Sequence, residues 1–359
     1  METNKTTSKI LNRNISYDLL RIISALSVVM LHVSGLYIQK YPVGSMDFRI
    51  ANFYDSISRF GIPIFVMISG AIFLSEEKTV TTKKLWTKNI LRLFIVYLVW
   101  AFAYYAYQCI YYWNVSIFHK GILGVVTGIV YASDHFWFIF MIIGLYALVP
   151  FLRTWLSRAE KKELNYFVVL FVVFQVVRVT ISILVDKSLV TQIADMVKIT
   201  ELSRYLGYFV LGHILAKYDV SKKLKIAIYA LVPVGVVVNF IVSDVMSLRY
   251  GTYNAGIYDT FGFFTFVITV AIFIFFKGVG TKLNAGPTFT RVLGGISLDT
   301  LGIYLLHVGV LDFLGKNGIL FGSLSPIIGV PVIGIITFIL CCLVSALLRR
   351  IPVVGRYLA

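Results

Sequence analysis

Charge is what this sequence lacks most. Only 14% of its residues are Asp, Glu, Lys or Arg, against roughly a quarter in ordinary soluble domains. The shortage excludes a soluble globular enzyme of this length. Cysteine is nearly absent: Cys109, Cys341 and Cys342 are the three, all inside apolar runs. A thiol there behaves as a small hydrophobe, and no Cys/His spacing has the form of a zinc site, so no metal is expected. Acidic residues are half as frequent as basic ones, 17 against 33. No loop is long enough for a separate soluble domain, no Pro-, Ser- or Gly-rich linker divides the chain, and no internal repeat stands out.

What is present is hydrocarbon. Hydrophobic residues make up 58% of the chain, and the mean hydropathy is +0.85. Windows of about 20 residues with almost no charge recur, the length that spans a bilayer as helix. An all-α polytopic membrane protein is therefore expected, with ten spans near 15–37, 52–74, 90–112, 135–155, 164–185, 201–217, 224–243, 257–276, 296–315 and 326–348. "GILGVVTGIVYA", within 113–134, is apolar but too short to cross, and reads as a re-entrant or interfacial helix. The division is a tail at 1–14, a membrane domain at 15–350 and a tail at 351–359. The basic, then apolar, N-terminus reads as an uncleaved signal anchor, because Arg21 interrupts the apolar run.

The excess of basic residues has a topological cause. With the N-terminus inside, 22 of the lysines and arginines fall in cytoplasmic segments and seven in outer loops. That is the positive-inside bias. It places both termini in the cytoplasm, assigns a multi-pass protein to the cell membrane among its lipids, and removes any need for a nucleic-acid partner.

Against this background a few polar side chains stand out. In "YDLLRIISALSVVMLHVSGLY", Arg21 and His32 are eleven residues apart, about three helical turns plus 20°. They share one stripe with Ser24, Ala25 and Val28 between them, separated by roughly 16 Å along the axis. Asp18 is placed to pair with Arg21. Snorkelling to the two interfaces is one reading. A buried polar pathway is the other, since ionisable groups within membranes usually face a cavity. Arg59 opens "RFGIPIFVMISG", whose Pro63 frees a backbone carbonyl and kinks the helix. Arg178 and Arg204 also lie within or at the ends of spans on the outer half, where snorkelling and a functional role are both open, and His119 and His213 are read as satisfied structural groups. Lys84, Lys88 and Arg92 recur every four residues, as a topogenic signal or as a cradle for a polyphosphate. His135 is expected at an outer helix edge and His307 deep in the ninth span.

These segments resemble the acyltransferase-3 membrane family. Arg21 and His32 reproduce its first-helix arginine, ten residues, histidine motif. "RFGIPIFVMISGAIFL" is similar to its second-helix motif, and "HFWFIFMIIGLYALVPFLR", "YLGYFVLGHIL" and "ISLDTLGIYLLHVGVL" to its later signatures. The matches run from about residue 15 to 345. The subgroup with a bare membrane domain, typified by enterobacterial common antigen O-acetyltransferase, resembles it most. Some relatives carry a further extracellular hydrolase-like domain, which this sequence does not include.

The resemblance implies an O-acyltransferase, here an O-acetyltransferase. Such an enzyme moves an acyl group from cytoplasmic acyl-CoA (acetyl-CoA), a donor substrate and no resident cofactor, to a hydroxyl of a surface glycan or other small acceptor outside. His32 would be the general base and Arg59 would neutralise the oxyanion. Arg21, Lys84, Lys88, Arg92, Ser69, His135, Trp137 and His307 would contact the donor or acceptor. Asp55 and Asp134 share the side of His32 and are the carboxylates that could orient it. The alternative is a small-molecule transporter, a serine-type carrier like the membrane domain of vancomycin-type racemases. The acidic residues lie near span ends rather than at mid-membrane, which favours chemistry over transport. A homo-oligomer stays open.

Overall fold

A computed structural model of the chain describes residues 14–77, 80–177, 201–283, 286–318, 324–352 and 355. Among the described residues, twelve helices account for nearly all of the backbone and no strand occurs. They are α1 (Ile15–Lys40), α2 (Met46–Ser58), α3 (Gly61–Phe73), α4 (Thr82–Tyr112), α5 (Gly121–Val130), α6 (Asp134–Leu156) and α7 (Lys161–Phe171, continued through Val172–Val177). Then come α8 (Glu201–Lys217), α9 (Lys222–Tyr250), α10 (Phe263–Lys282), α11 (Pro287–Lys316) and α12 (Pro326–Leu348).

Their starts follow ordinary capping chemistry. Asn14 accepts from the Tyr17 amide at 3.3 Å, Ser45 from Phe48 at 3.2 Å and Ser221 from Leu224 at 3.4 Å, satisfying amides that a helix leaves open. Pro287 and Pro326 stand in the first turns of α11 and α12, where the missing N–H costs nothing.

Among the described residues, eight segments are long and apolar enough to cross a membrane, with α2 and α3 counted as one, Met46–Phe73. Of the other two expected spans, 201–217 is the 17-residue α8. The span at 164–185 begins as α7 and then, with Arg178, passes outside the described residues. The second span starts at Met46, six residues before its expected start, and it is broken. Pro63 explains the break: it cannot donate to the carbonyl of Arg59, four residues back, so the ladder resumes with Ile64 donating to Phe60 at 3.1 Å. The interruption falls at Arg59 and exposes its surroundings to side-chain partners. Helix α5 has ten residues, about 15 Å of rise, and none is buried. Ile122 and Leu123 are over 70% exposed, as suits a helix lying in an interface.

Helix α1 is the hub, packed against α2, α3, α10, α11 and α12. The side on which it begins gathers Ser297 donating to Asp18 at 2.6 Å, Arg349 to Asp299 at 3.1 Å, Arg153 to the Ser75 carbonyl at 2.8 Å and Lys217 to Glu76 at 2.6 Å. The opposite side gathers Arg49 with Asp244 at 3.1 Å and Tyr107 with Asp312 at 2.8 Å. These are the near and far sides of the molecule. Helices α3 and α8 touch backbone to backbone: a Cβ on Gly70 would lie 1.7 Å from the Phe209 carbonyl oxygen, and one on Gly212 2.0 Å from that of Met67. Small residues permit such contact where lipid supplies no hydrophobic driving force between helices.

Candidate active site

The Arg21–His32 stripe of α1 faces protein, not lipid. On its near-side half, Asp18 is buried and accepts from Ser297, while its carboxylate lies 3.6 Å from the Arg21 guanidinium. The pairing read from the three-residue spacing is thus made, with α11 holding the carboxylate. Ala25 and Val28 then form one wall of an internal cavity of about 250 Å³. Arg21, Asn89 and Arg92 stand along it on the near side, Ser69, Ile142 and Tyr146 line its middle, and Phe65, Phe138, Tyr304 and His307 line it toward the far side.

At that end three histidines from three helices meet. The ring of His307 in α11 lies 4.8 Å from that of His32 in α1, and 5.6 Å from that of His135 at the start of α6. His307 is fully buried. Its Nδ1 sits 2.7 Å from the Tyr304 carbonyl oxygen and 3.2 Å from that of Ile303. Carbonyls only accept, so Nδ1 bears the proton and Nε2 presents a bare lone pair. That Nε2 is buried without a hydrogen-bond partner, as is Nε2 of His135. Buried polar atoms are nearly always paired, so two orphaned nitrogens in one cluster are unusual; of the two histidines, His307 lines the cavity and His135 does not. His135 is fixed from behind: its Nδ1 is 2.5 Å from the Ser133 hydroxyl, and its own carbonyl accepts from Tyr304.

His32 adjoins the cavity through His307 rather than lining it. On its other side it lies within electrostatic reach of Arg59 and Asp55. Asp55 is buried, and Arg59 clasps it with Nε at 3.1 Å and Nη2 at 2.6 Å. Arg59 Nη2 also donates to the Tyr253 hydroxyl at 3.0 Å, while the guanidinium sits over the Tyr258 ring at 5.2 Å. Tyr253 donates to Asp55 in turn, and the Tyr258 hydroxyl lies 2.5 Å from Asn52 Oδ1. This is a bidentate pair, the strong form of an arginine–carboxylate contact. It leaves Arg59 Nη1 as the guanidinium's uncommitted donor. Of the two carboxylates on this side, Asp55 is the one brought toward His32; Asp134 is exposed at the start of α6.

The remaining expected residues divide. Ser69 and Arg92 line the cavity, whereas Lys84 and Lys88 are exposed and do not. Between Lys84 and Arg92 the helix opens into a π turn, Leu85–Ile90, a feature frequent at functional sites, and Asn89 from it reaches the cavity. Trp137 packs on Tyr205 at 5.7 Å, away from the histidines. Arg204 pairs with Asp259 at 3.4 Å over the Phe261 ring, a structural role. His119 is exposed, with Nδ1 2.8 Å from the Ser116 carbonyl. Sequence reasoning passed over Asn89, Tyr146 and Tyr304, and the Tyr253–Tyr258 clasp. Tyr304 had a signal, one turn before His307; the others sit among tyrosines that read equally well as interfacial anchors.

Neither the curated proteins nor the solved structures compared with the chain yielded a match. The family described as Acyltransferase domain, the acyltransferase-3 family whose motifs the sequence resembles, matches residues 14–346, from the cap of α1 nearly to the end of α12. A cation-flanked cavity ending in a histidine cluster suits such a family, and the chain belongs to it: the acyltransferase-3 family of membrane acyltransferases.

Proposed function

We propose that the protein is an O-acyltransferase that takes an acetyl group from cytoplasmic acetyl-CoA and places it on a hydroxyl of a surface glycan, as in the enterobacterial common antigen type of enzyme. The observation that carries this reading is the cavity leading from Arg21, Asn89 and Arg92 to His307. The charge bias makes the near side cytoplasmic. A nucleotide's phosphates would meet Arg92 there, with exposed Lys84 and Lys88 beside it, because clustered cations match phosphate oxygens. The pantetheine arm, slender and mostly apolar, fits a passage walled by Ala25, Val28, Ile142 and Phe138. Its thioester would then lie at the histidines.

The chemistry follows from that position. The acceptor hydroxyl oxygen attacks the thioester carbon as its proton passes to the His32–His307 pair, the C–S bond breaks, and the proton leaves with the CoA thiolate. General-base catalysis of this kind contributes about 10²–10⁴-fold. Arg59, through Nη1, is the cation for the developing oxyanion, a role worth roughly 3–4 kcal/mol where single donors have been removed elsewhere. A carrier would instead pass its substrate unmodified. Purified protein given radiolabelled acetyl-CoA and a crude envelope glycan extract tests the reading: label should enter glycan with wild-type protein and not with His32→Ala. Full activity in that variant defeats the mechanism, and an unmodified product on the far side of proteoliposomes defeats the activity.

A further inference from the structure

A second recess lies on the far side, against the opposite face of the histidine cluster. It has a volume of about 310 Å³ and is bounded by Tyr104, Tyr107, Gln108, Tyr112, Trp113 and Asp312, among others. That size is at the small end of ligand sites, enough for one ring and little more. Two of its wall residues touch the catalytic region directly. The Tyr104 ring is 5.4 Å from that of His135, and Ser133, also in the wall, holds His135 Nδ1. A row of side chains, Tyr104 in the recess wall, then His135, then His307 in the donor-cavity wall, links the two, and two of its imidazole nitrogens have no partner.

The lining selects by charge. Asp312 accepts from the hydroxyls of Tyr107 and Tyr112, and a carboxylate has room for about two donors more. An anion is disfavoured by that carboxylate. A cation would meet the field of Lys316, one turn on and outside the recess wall, whose ammonium donates to the Tyr111 carbonyl at 3.1 Å and lies 3.5 Å from the Tyr112 ring centroid. Gln108 donates Nε2–H to the Ala132 carbonyl at 2.9 Å, which leaves its side-chain oxygen to accept. Tyr107, one face of which is stacked on Tyr111 at 5.1 Å, offers its other face, and Trp113 is half exposed. Acceptors at fixed points beside aromatic planes suit a neutral ring that bears several hydroxyls and shows C–H groups on its faces.

We propose that this recess is the acceptor subsite and that it takes a single uncharged sugar ring, with Asp312 and Gln108 receiving its hydroxyl protons and Tyr107 and Trp113 flanking its plane. The proposal rests on the acyl-transfer reading above and names where, and by which residues, the acceptor is held. The transferred group reaches a hydroxyl pointed past Tyr104 toward His135.

The test uses the full-length protein in proteoliposomes with radiolabelled acetyl-CoA and the crude envelope glycan extract. Asp312→Asn and Trp113→Ala should each raise the extract concentration needed for half-maximal labelling by about tenfold or more, the effect of losing one good polar or stacking contact. The concentration of acetyl-CoA needed for half-maximal labelling should stay within about twofold of wild type. Trp113 stands at the surface, so its variant reports on binding even if Asp312→Asn misfolds. Partition of the labelled product between organic and aqueous phases distinguishes a lipid-linked sugar from a polysaccharide, and either supports the subsite. Unchanged acceptor dependence in both variants overturns it, as does an equal rise in the acetyl-CoA concentration needed. Failure of the underlying reading looks different: wild-type protein would then release no CoA and label nothing.

Discussion

His307→Asn is the most informative single change. His307 is fully buried, and its Nδ1–H is committed to the Tyr304 carbonyl. An asparagine amide can place an N–H where Nδ1 stood, so the local hydrogen bond survives while the Nε2 lone pair is removed. If the His32–His307 pair receives the hydroxyl proton, acetyl transfer should fall by about 10²–10⁴-fold, roughly 3–5 kcal/mol of barrier at 1.36 kcal/mol per tenfold. Because the rings lie 4.8 Å apart and would act as one base, losses should not add. The His32→Ala, His307→Asn double variant should be no slower than the slower single one within about threefold. The assay is initial-rate transfer from radiolabelled acetyl-CoA, with melting temperature in detergent measured alongside. A single variant retaining more than about a tenth of the wild-type rate, or a double variant whose loss is the product of the two, would refute a shared base.

Four further outcomes are expected. Arg21→Ala should raise the KM for acetyl-CoA more than it lowers kcat, since Arg21 lines the near-side half of the cavity far from the histidines; an effect confined to kcat would place it in the chemistry instead. Arg59→Leu leaves buried Asp55 without its clasp and should destabilise the protein by about 3–5 kcal/mol, whereas the Arg59→Leu, Asp55→Leu pair should recover part of the melting temperature; no recovery would mean the pair is not what holds this corner. Gly70→Val puts side-chain atoms into the Phe209 backbone and should cost more than the 1–3 kcal/mol or so of ordinary overpacking, seen as loss of monodisperse protein on size exclusion; normal behaviour would show that α3 and α8 separate easily. On the near side, hydrogen bonds from Lys217 and Lys277 pull the carboxyls of Glu76 and Asp219 below their usual 4.5 and 3.8. A depressed carboxyl stabilises the fold above its unfolded pKa and loses that contribution as pH falls through the folded value, so the melting temperature should drop below about pH 4 and less so in Glu76→Gln; an acid limb unchanged in that variant would count against it.

Arg21 and His32 were readable as a stripe because both sit on one helix, and helical rotation alone aligns them. Pro63 announced the break at Arg59 because a missing amide has a fixed consequence four residues back. Lys84, Lys88 and Arg92 looked equivalent in a four-residue repeat, yet only Arg92 reaches the cavity, with a π turn intervening. Trp137 shares a motif with His135, but side chains two apart on a helix point in different directions. It packs on Tyr205 instead.

By itself, the sequence determined the solvent and the secondary structure: long apolar windows force helices, since lipid satisfies no backbone group. It also placed a guanidinium and an imidazole on one buried stripe. Only the tertiary structure decided that His32, His135 and His307, from three helices distant in the chain, meet at the end of one cavity. It alone showed that Asp55 is held by Arg59, Tyr253 and Tyr258, and that an aromatic recess backs onto the same histidines. These are contacts between helices, and local periodicity sets which face of a helix is buried but not which other helix buries it.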